Sequence, residues 1–500
     1  MAELVSGKPC RAGGAHASEY GVDLEVLPAG QPWRYIERHF EQSLRDAVGA
    51  ALAGVGPRLV MLSGRTKSGK TRAAFQALRW DGLRDAWLVV PRTGASIERL
   101  LSPGVLPPSW SPLVIWLDDI EKYASVDASG LHEGVFRNLV LDRPLVILAT
   151  EGGRGTRSHT HAFADPVAQL RSLAACIDVP VRLTERELSL VQDAYGPDLA
   201  KEVGRVGLGR RMVAVNELSG RLVRSNDDCR EGVAVVRAAV DWRRAGALRP
   251  LSTGQLEELY KHYLPDDLDP SEERFASGLE WARKPLPNTA IALLRKVPQG
   301  YEPYDLAVEV AAREWPDVSS PAMERILSLA GPADCFQIAG TAFDAGDTTL
   351  ALGMLARAER SQDQRLSMVS AFNRGVLLEH EGDLAAAQAA YASADERGSL
   401  RGAFNLGQLL RRAGELPAAE AAYRRADQRG SAEGAVNLGF LLEQRGDLAG
   451  AERAYRRARS RESPKGARNL QRLLRQRQRQ RPAADAGLHA GREDPGYVER

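Results

Sequence analysis

The chain has 500 residues, too many for one ordinary hydrophobic core, so we expect several domains. Hydrophobic residues make up 44% and charged residues 26% of the sequence, a balance that excludes a wholly disordered chain, a collagen-like fibre and a membrane-embedded transporter. The 67 Lys and Arg residues nearly balance the 65 Asp and Glu residues, so the charge does not indicate a chain-wide surface for nucleic acid.

Cysteine usage and hydropathy both predict a cytoplasmic protein. No stretch approaches the roughly 18 apolar residues that cross a bilayer, and the N-terminus lacks the apolar run of a secretory signal. We therefore expect no membrane contact. The cysteines stand far apart without a CxxC pair, which is typical of reduced thiols and not of a disulfide framework or a zinc site; they are Cys10, Cys176, Cys229 and Cys335.

The N-terminal part of the sequence predicts a parallel sheet. Residues 1–24 are rich in Gly, Ala and Ser without periodicity, so we expect a disordered tail there. Over residues 25–185, short apolar runs alternate with helical segments, which is typical of a doubly wound α/β sheet with flanking helices. The predicted strands are 58–63, 86–90, 113–117, 145–149 and 179–183.

Beyond this region strand signals fade, and the sequence predicts an all-α remainder. Thr184 followed by Glu187 forms a capping box that opens the first helix. The predicted divisions are a lid-like helical module over 186–250, a helical linker domain over 251–365, repeats over 366–475 and a disordered basic tail over 476–500.

The clearest chemical motif directly follows the first predicted strand. It fits G-x-x-x-x-G-K-[ST], in which glycines let backbone N–H groups wrap a phosphate at the start of a helix. Lys70 is predicted to reach the β- and γ-phosphates of a nucleotide, and Thr71 to place its hydroxyl on Mg²⁺. We expect ATP with Mg²⁺ as the ligand, and the sequence leaves GTP open. The predicted nucleotide-binding residues of this loop are Gly64, Arg65, Thr66, Lys67, Ser68, Gly69, Lys70 and Thr71.

Two later strands end in polar residues that suit the same chemistry. The run 113–117 leads into Asp118 and Asp119, with Glu121 two residues further on, and a buried strand that ends in two acids resembles a Walker B segment. Asp118 is predicted to hold Mg²⁺, and Asp119 or Glu121 to polarise the attacking water; capping of the next helix is the competing interpretation. Thr150 follows the run 145–149, where additional-strand P-loop ATPases carry a sensor of the γ-phosphate; an ordinary strand-terminal threonine is the alternative.

The segment 35–44 resembles the entry motif of STAND-class NTPases, an aromatic residue followed by Gly-Arg-acid and a helix. Here Glu37 replaces the glycine and His39 the acid, so a helix start that packs on the sheet competes with a nucleotide contact for Arg38. Arg154 and Arg157 lie in a glycine-rich loop, and the sequence leaves open whether they approach phosphate or solvent.

The last third of the chain contains a repeat with a period of 32 residues, and its pattern predicts two helices joined by a Gly turn. Asparagines recur at this interval, at Asn373, Asn405, Asn437 and Asn469. They either bond neighbouring helices or grip a ligand. The unit resembles the tetratricopeptide family, with Sel1-like phrases, at Gly407, Ala419, Tyr423 and Ala426. Stacked units of that family form a solenoid whose concave face binds a protein or peptide.

Together these motifs resemble a STAND-type or AAA-like P-loop NTPase with C-terminal repeats. The resemblance implies a slowly hydrolysing ATP-binding switch whose repeats bind a protein partner, with nucleotide-dependent self-assembly as a further property of the class. Two other hypotheses stay open: an interaction scaffold with a structural or degenerate nucleotide site, and a small-molecule kinase on the same fold. The basic run ending at Arg481 lacks aromatic residues, so nucleic acid is a disfavoured partner.

Overall fold

A computed structural model describes residues 4–6, 9–15, 35–65, 68–102, 105–107, 111–124, 131, 143–151, 166–207, 218, 220–222, 229–286 and 291–480. The chain divides into two compact units, Met1–Leu366 (unit 1) and Ser367–Arg500 (unit 2), and each is described by itself. Among the sequence-predicted features, Thr66, Lys67, Arg154, Arg157 and the tail beyond residue 480 lie outside the described residues.

The N-terminal part of unit 1 alternates strands with helices. Its elements are β1 (Cys10–Arg11), α1 (Glu41–Ala53), β2 (Leu59–Ser63), α2 (Lys70–Ala77), β3 (Trp87–Val89), α3 (Gly94–Leu101), β4 (Leu113–Leu117), β5 (Leu145–Thr150), α4 (Pro166–Arg171) and β6 (Ala174–Asp178). The strands form one sheet in the order β1-β3-β4-β5-β2-β6. β1 is antiparallel to β3, and the other pairings described within this sheet are parallel. The predicted parallel sheet with flanking helices is therefore confirmed.

Burial explains why the central strands appear in the sequence as unbroken apolar runs. Every residue of β4 and β5 is buried, because helices cover both faces of the sheet. Leu44 of α1 and Phe75 of α2 pack on one face, and Ile97 of α3 packs on the other. A strand covered on both faces has no polar side, so the alternation typical of a half-exposed strand is absent.

The last strand of the sheet precedes its predicted position. β6 covers Ala174–Asp178, so the prediction of a strand over 179–183 is wrong. β6 lies at the edge of the sheet and is largely half-buried or exposed, which explains its weak apolar signal. The following residues leave the sheet, since the carbonyl oxygens of Pro180 and Arg182 accept hydrogen bonds from Arg38 and Pro180 has no N–H for a ladder.

Part of the N-terminal segment belongs to the sheet, which corrects the prediction that all of residues 1–24 form a disordered tail. Cys10 pairs with Leu88 of β3 and Arg11 with Trp87. The Arg11 guanidinium also lies 4.7 Å from the centre of the Trp87 ring, a distance typical of a cation–π contact. A two-residue edge strand held by main-chain hydrogen bonds leaves almost no trace in hydropathy, so the sequence did not indicate it.

The rest of unit 1 is mainly helical in its described residues. Its elements are α5 (Glu185–Tyr195), α6 (Pro197–Val206), α7 (Arg230–Arg244), α8 (Thr253–Tyr260), α9 (Glu272–Arg283), β7 (Leu294–Val297), β8 (Gly300–Pro303), α10 (Asp305–Glu314), α11 (Ser320–Leu329), α12 (Pro332–Asp344) and α13 (Thr348–Ala358). The predicted capping box is present at the start of α5: the Glu187 N–H donates to the Thr184 hydroxyl, and the Thr184 N–H donates to the Glu187 carboxylate.

The antiparallel hairpin β7–β8 corrects the prediction of helices alone over 251–365. Each strand has four residues, too few for a period of two to show in the sequence. Leu251, just before α8, adds a bridge to Tyr301 of β8. Gly300 has a φ of +147°, and a Cβ atom there would lie 2.1 Å from the Leu251 carbonyl oxygen.

Unit 2 is a series of helical hairpins. Its helices are α14 (Gln364–His380), α15 (Leu384–Glu396), α16 (Leu400–Arg412), α17 (Leu416–Gln428), α18 (Ala432–Gln444), α19 (Leu448–Ser460) and α20 (Pro464–Gln480). The structure thus contains the helix–turn–helix units that the 32-residue period predicts. The further expectation, that they form a solenoid with a concave binding face, stays a prediction.

Close helix contacts explain the glycines of the repeat. A Cβ atom added at Gly407 would lie 2.7 Å from the Tyr423 ring, and one added at Gly439 would lie 2.6 Å from the Tyr455 ring. Because both tyrosines are fully buried, neither ring has free space to move into. The glycine at this position is therefore required by the packing of each hairpin.

Polar contacts between successive units recur with the same period. The buried Asp427 carboxylate of α17 accepts hydrogen bonds from Arg457 of α19 at 2.9 Å and from Arg461, the residue just after α19, at 2.7 Å. Asn405 hydrogen-bonds the Tyr391 hydroxyl of the preceding unit, so at this position the asparagine has the structural role that the sequence offered as one of two interpretations. Main-chain and side-chain bonds of this kind hold one hairpin to the next.

Candidate nucleotide site

Glycines at the two ends of the loop between β2 and α2 are required by its backbone. Gly69 precedes α2 with a left-handed φ of 101°, which strains any residue with a Cβ atom. At Gly64, a Cβ atom would lie 2.4 Å from the Val179 carbonyl oxygen. The N–H groups left free at the start of α2, and the positive end of its dipole, lie directly behind this turn. An anion seated in the loop is therefore stabilised by the main chain itself.

Lys70 is buried at the base of this loop. Its Nζ donates to the carbonyl oxygens of Gly64 at 2.8 Å and Arg65 at 2.9 Å. Burial lowers the pKa of the ammonium, and the charges of Asp119 and Glu121 oppose that shift. Two carbonyl dipoles stabilise a buried ammonium less well than a formal negative charge does, so a phosphate can replace them.

The strand order decides which distant residues meet beside the loop. β5 lies between β2 and β4 and is parallel to both. Because parallel strands direct their carboxyl ends to the same edge of a sheet, the segments that follow these three strands share that edge. The inserted position of β5 places Thr150, at its end, next to the first acid after β4.

Asp118 is the centre of this cluster. Its Oδ1 accepts a hydrogen bond from the Thr71 hydroxyl at 2.9 Å and another from the Thr150 hydroxyl at 2.8 Å. Burial raises the pKa of the Asp118 carboxyl, and the neighbouring charge of Asp119 raises it further. Three sequence-predicted residues from three separate segments therefore come together around one carboxylate oxygen.

Asp119 has an unusual backbone and a defined partner. It adopts a left-handed φ of 57°, which is uncommon for a residue other than glycine, and its N–H donates to the Thr150 hydroxyl at 2.9 Å. Its Oδ2 lies 2.9 Å from the Lys122 Nζ. Burial favours the neutral acid, but Lys122, with smaller contributions from Lys70 and Arg295, holds the pKa of Asp119 below its ordinary value.

Two further acids at this edge of the sheet affect the pKa of Lys70. Glu121 is half-buried, and its charge, like that of Glu151, opposes the lowering of the Lys70 pKa that burial causes. Sequence reasoning missed Glu151 and Lys122, although each had a signal: Glu151 directly follows Thr150 at a strand end, and Lys122 lies three residues after Asp119. Glu151 forms an ion pair with Arg171 at the end of α4, a partner that no local pattern indicates.

Arg38 is buried and contacts the loop that precedes α2. Its guanidinium donates to the carbonyl oxygens of Pro180 at 2.8 Å and Ser68 at 3.4 Å. Its Nε lies 3.1 Å from the Glu187 carboxylate. The guanidinium therefore ties the loop, the segment after β6 and the start of α5 to one another, and these contacts favour a packing role over a nucleotide contact.

Glu187 is the carboxylate that pairs with Arg38. Its carboxylate accepts hydrogen bonds from the backbone N–H groups of Thr184 at 2.7 Å and His39 at 2.8 Å, in addition to its pair with Arg38. Burial alone would raise the pKa of Glu187, but the Thr184 and His39 bonds and Arg38 overcome it and lower the pKa to about 2. The charged carboxylate is thus the form that the fold requires.

The oxygen atoms at this edge of the sheet fit a nucleotide with a divalent cation. Thr71 and Asp118 present hard oxygen atoms 2.9 Å apart, and oxygen ligands are the kind that Mg²⁺ prefers. Ser68 of the loop is buried, and its hydroxyl has no hydrogen-bond partner within the part of the chain that the structure describes. An unsatisfied buried hydroxyl is costly, and a phosphate oxygen in the loop would satisfy it.

Comparisons with known proteins add little to this geometry. No family model and no curated protein matches the chain. Among solved structures, the chain is similar to a signal transduction ATPase with numerous domains (STAND) that carries a tetratricopeptide repeat sensor, from Pyrococcus horikoshii, at 11% identity, a TM-score of 0.24, and coverage of 91% of this chain and 81% of that one. A likeness at that TM-score carries no argument here. No helix in the described ranges combines the length and apolarity that crossing a bilayer requires.

Proposed function

We propose that unit 1 binds ATP with Mg²⁺ and that the chain is a slowly hydrolysing, STAND-like signalling switch. The observation that carries the proposal is the meeting of the Thr71 and Thr150 hydroxyls on one Asp118 oxygen beside the Lys70 loop. Nucleotide binding needs a cradle for phosphate, a cation and a hydroxyl–carboxylate pair to hold the metal. The glycine loop, Lys70 and the Thr71–Asp118 pair are the candidates for these three parts, and their position at one edge of the sheet supports the proposal.

The proposal assigns a role to the loop and to the polar residues beside it. Backbone N–H groups from Gly64 to Gly69 hold the phosphate oxygens, and Lys70 pairs with the β- and γ-phosphates. Thr71 and Asp118 hold Mg²⁺, which supplies neutralisation of phosphate charge when bound. Thr150, whose hydroxyl donates to Asp118 and accepts from the Asp119 N–H, is the proposed sensor of the γ-phosphate.

Asp119 is the proposed base, with Glu121 as the second candidate. In hydrolysis the oxygen of water bonds to the γ-phosphorus, the water proton passes to the carboxylate and the bond to ADP breaks. Asp119 stays charged near neutral pH, as a base must, but its Oδ2 is already 2.9 Å from the Lys122 ammonium. A base shared with an ammonium accepts a proton poorly, which favours slow turnover.

We further propose that unit 2 binds a protein or peptide and that bound nucleotide controls self-assembly of the protein. Stacked helical hairpins leave a concave surface on which partners dock, and the contacts from Asp427 and Asn405 keep the hairpins in register. We place the protein in the cytoplasm because its cysteines stand far apart in the sequence without a CxxC pair, a usage typical of a reducing compartment.

Calorimetric titration of the full-length protein with ATP and Mg²⁺ tests the site. Lys70→Ala removes the ammonium, which contributes about 1.5–3 kcal/mol through charged hydrogen bonds, so the affinity should fall at least tenfold. Lys201→Ala, on an exposed position of α6, is the matched control and should bind as the wild type does. Equal affinity of the Lys70→Ala variant and the wild type would discard the site.

Turnover separates this function from the alternatives. Asp118→Ala should lose Mg²⁺-dependent hydrolysis more than it loses nucleotide binding. A scaffold with a structural nucleotide predicts no hydrolysis by the wild type with or without partner, and a small-molecule kinase predicts phosphate transfer to an acceptor other than water. Capture of a protein partner only in the presence of a slowly hydrolysed ATP analogue selects the switch.

A further inference from the structure

Three tyrosines of unit 2 occupy the same position in successive helical hairpins. Each ring is at most 1% exposed, and each packs against a glycine of the first helix of its hairpin. A Cβ atom added at that glycine would lie 2.6, 2.7 and 2.6 Å from the ring in the three hairpins. Because the rings are held alike, a difference between the partners of their hydroxyls comes from the side chains around them and not from the backbone. The tyrosines are Tyr391, Tyr423 and Tyr455, and the glycines are Gly375, Gly407 and Gly439.

In the first and third of these hairpins the hydroxyl donates to a glutamate. Tyr391 donates to Glu379 at 2.9 Å, and Tyr455 donates to Glu443 at 3.0 Å. Each carboxylate also accepts a hydrogen bond from an arginine of the next hairpin, at 2.8 and 2.7 Å. These arginines are Arg412 and Arg472. A carboxylate between a phenol and a guanidinium is therefore the arrangement that this repeat adopts.

The middle hairpin lacks the carboxylate. Arg411 stands one 32-residue period after Glu379 and one before Glu443, so the repeat places it where the two glutamates reach their tyrosines. The Tyr423 hydroxyl has Arg411 and Asn437 as neighbours, but it makes no hydrogen bond of ordinary length and angle within the described part of the chain. Arg411 is exposed and forms no ion pair among the described residues. A buried hydroxyl without a partner is costly.

We propose that the middle hairpin of unit 2 binds a carboxylate of its protein or peptide partner between the Arg411 guanidinium and the Tyr423 hydroxyl. The inference rests on the proposed binding of a partner by unit 2 and names the chemical group that is recognised. The carboxylate accepts one hydrogen bond from the phenol and a charge-assisted one from the guanidinium. It thus supplies the group that the repeat has in the hairpins on either side.

Solvent reaches the equivalent position in both flanking hairpins. The Glu379 side chain is 31% exposed and the Glu443 side chain 15% exposed. A carboxylate brought by a partner can therefore occupy the same place in the middle hairpin, once the exposed Arg411 side chain turns to meet it. A glutamate of the chain itself would satisfy Tyr423 permanently. A position that breaks the packing rule of its own repeat at a cost in stability is typical of a binding site.

Fluorescence anisotropy of a fluorescein-labelled hexaglutamate peptide with the full-length protein tests the site. The wild type should bind this peptide and not a labelled hexaglutamine peptide. Arg411→Glu should weaken binding at least tenfold, the loss expected when a charge-assisted hydrogen bond is removed. Arg401→Glu makes the same change of charge at an exposed position in the first turn of α16 and should weaken binding less than about threefold. Equal losses in the two variants, or no binding by the wild type, overturn the proposal.

Hydrogen exchange followed by mass spectrometry tests whether the hydroxyl waits for a ligand. Tyr423→Phe should weaken binding of hexaglutamate about fivefold and leave amide exchange in α16 and α17 unchanged, because the lost hydroxyl had no partner. Tyr391→Phe should instead speed exchange in α14 and α15, because it breaks the bond to Glu379. Arg411→Glu should slow exchange in α16 and α17, since it supplies the missing carboxylate. Faster exchange in Tyr423→Phe than in the wild type shows a hydroxyl that is already satisfied and overturns the proposal.

Two further outcomes separate this site from other anions and from the proposed function. Displacement of hexaglutamate by free phosphate at a lower concentration than by free glutamate assigns the site to phosphate and overturns the carboxylate. Failure of the wild type to bind an ATP analogue refutes the nucleotide site and leaves the peptide measurement unaffected. Capture of a protein partner that is as strong with Arg411→Glu as with the wild type supports binding by unit 2 and overturns the carboxylate position alone.

Discussion

Removal of the Glu187 charge should destabilise unit 1 by an amount that depends on pH. Glu187→Gln keeps the shape of the side chain but removes the negative charge that Arg38 and the Thr184 and His39 N–H groups stabilise. A fall of the Glu187 pKa from an ordinary 4.5 to about 2 corresponds to about 3 kcal/mol of stability. The group is 3% exposed, so solvent screening reduces this figure little.

The sign of the pH dependence follows from the direction of the shift. Because the pKa of the folded state is depressed, the stabilisation is fully present above pH 4.5 and is lost as the pH falls toward 2. The free energy of unfolding of the wild type should therefore exceed that of Glu187→Gln by a constant amount between pH 7 and pH 5. The difference should narrow as the pH falls below the ordinary Glu187 pKa of 4.5.

Tryptophan fluorescence during urea unfolding measures this difference cleanly. All 8 tryptophans precede residue 367, so the signal reports unit 1 and not unit 2. Glu185→Gln, an exposed residue in the first turn of the same helix, is the matched control and should change stability by less than about 0.5 kcal/mol. A stability difference that is independent of pH, or that grows as the pH falls, would refute the reasoning.

Three further predictions concern packing and charge in the helical regions. Gly439→Ala should destabilise unit 2 by about 1–3 kcal/mol, because the new methyl group meets the buried Tyr455 ring; Gly353→Ala in α13, where a Cβ atom meets nothing within 4 Å, should instead stabilise the protein by up to about 1 kcal/mol. Asp427→Ala should cost about 2 kcal/mol, since its arginine partners are 44% and 27% exposed. Thermal unfolding followed by circular dichroism measures each change, and wild-type melting of Gly439→Ala or Asp427→Ala would contradict the corresponding contact.

Sequence patterns were sufficient to predict a feature wherever one continuous stretch of the chain determines its structure. The unbroken apolar runs predicted β4 and β5 because both faces of those strands are covered. The loop ending at Lys70 was recognisable because its glycine spacing reflects a backbone requirement, and the 32-residue period because each hairpin repeats the same packing of glycine on tyrosine. Asp118 and Asp119 were predicted as a pair because they directly follow the apolar run that forms β4.

Tertiary structure alone decided the features that depend on residues far apart in the chain. The meeting of Thr150 with Asp118 requires β5 to lie between β2 and β4, and sequence order does not show strand order. The edge strand β1 and the short hairpin β7–β8 bury too few side chains to leave a periodic signal. The hydrogen bonds from Arg38 to the carbonyl oxygens of Pro180 and Arg182 join residues that lie more than 100 positions apart, and no pattern within a helix or a strand specifies such pairs.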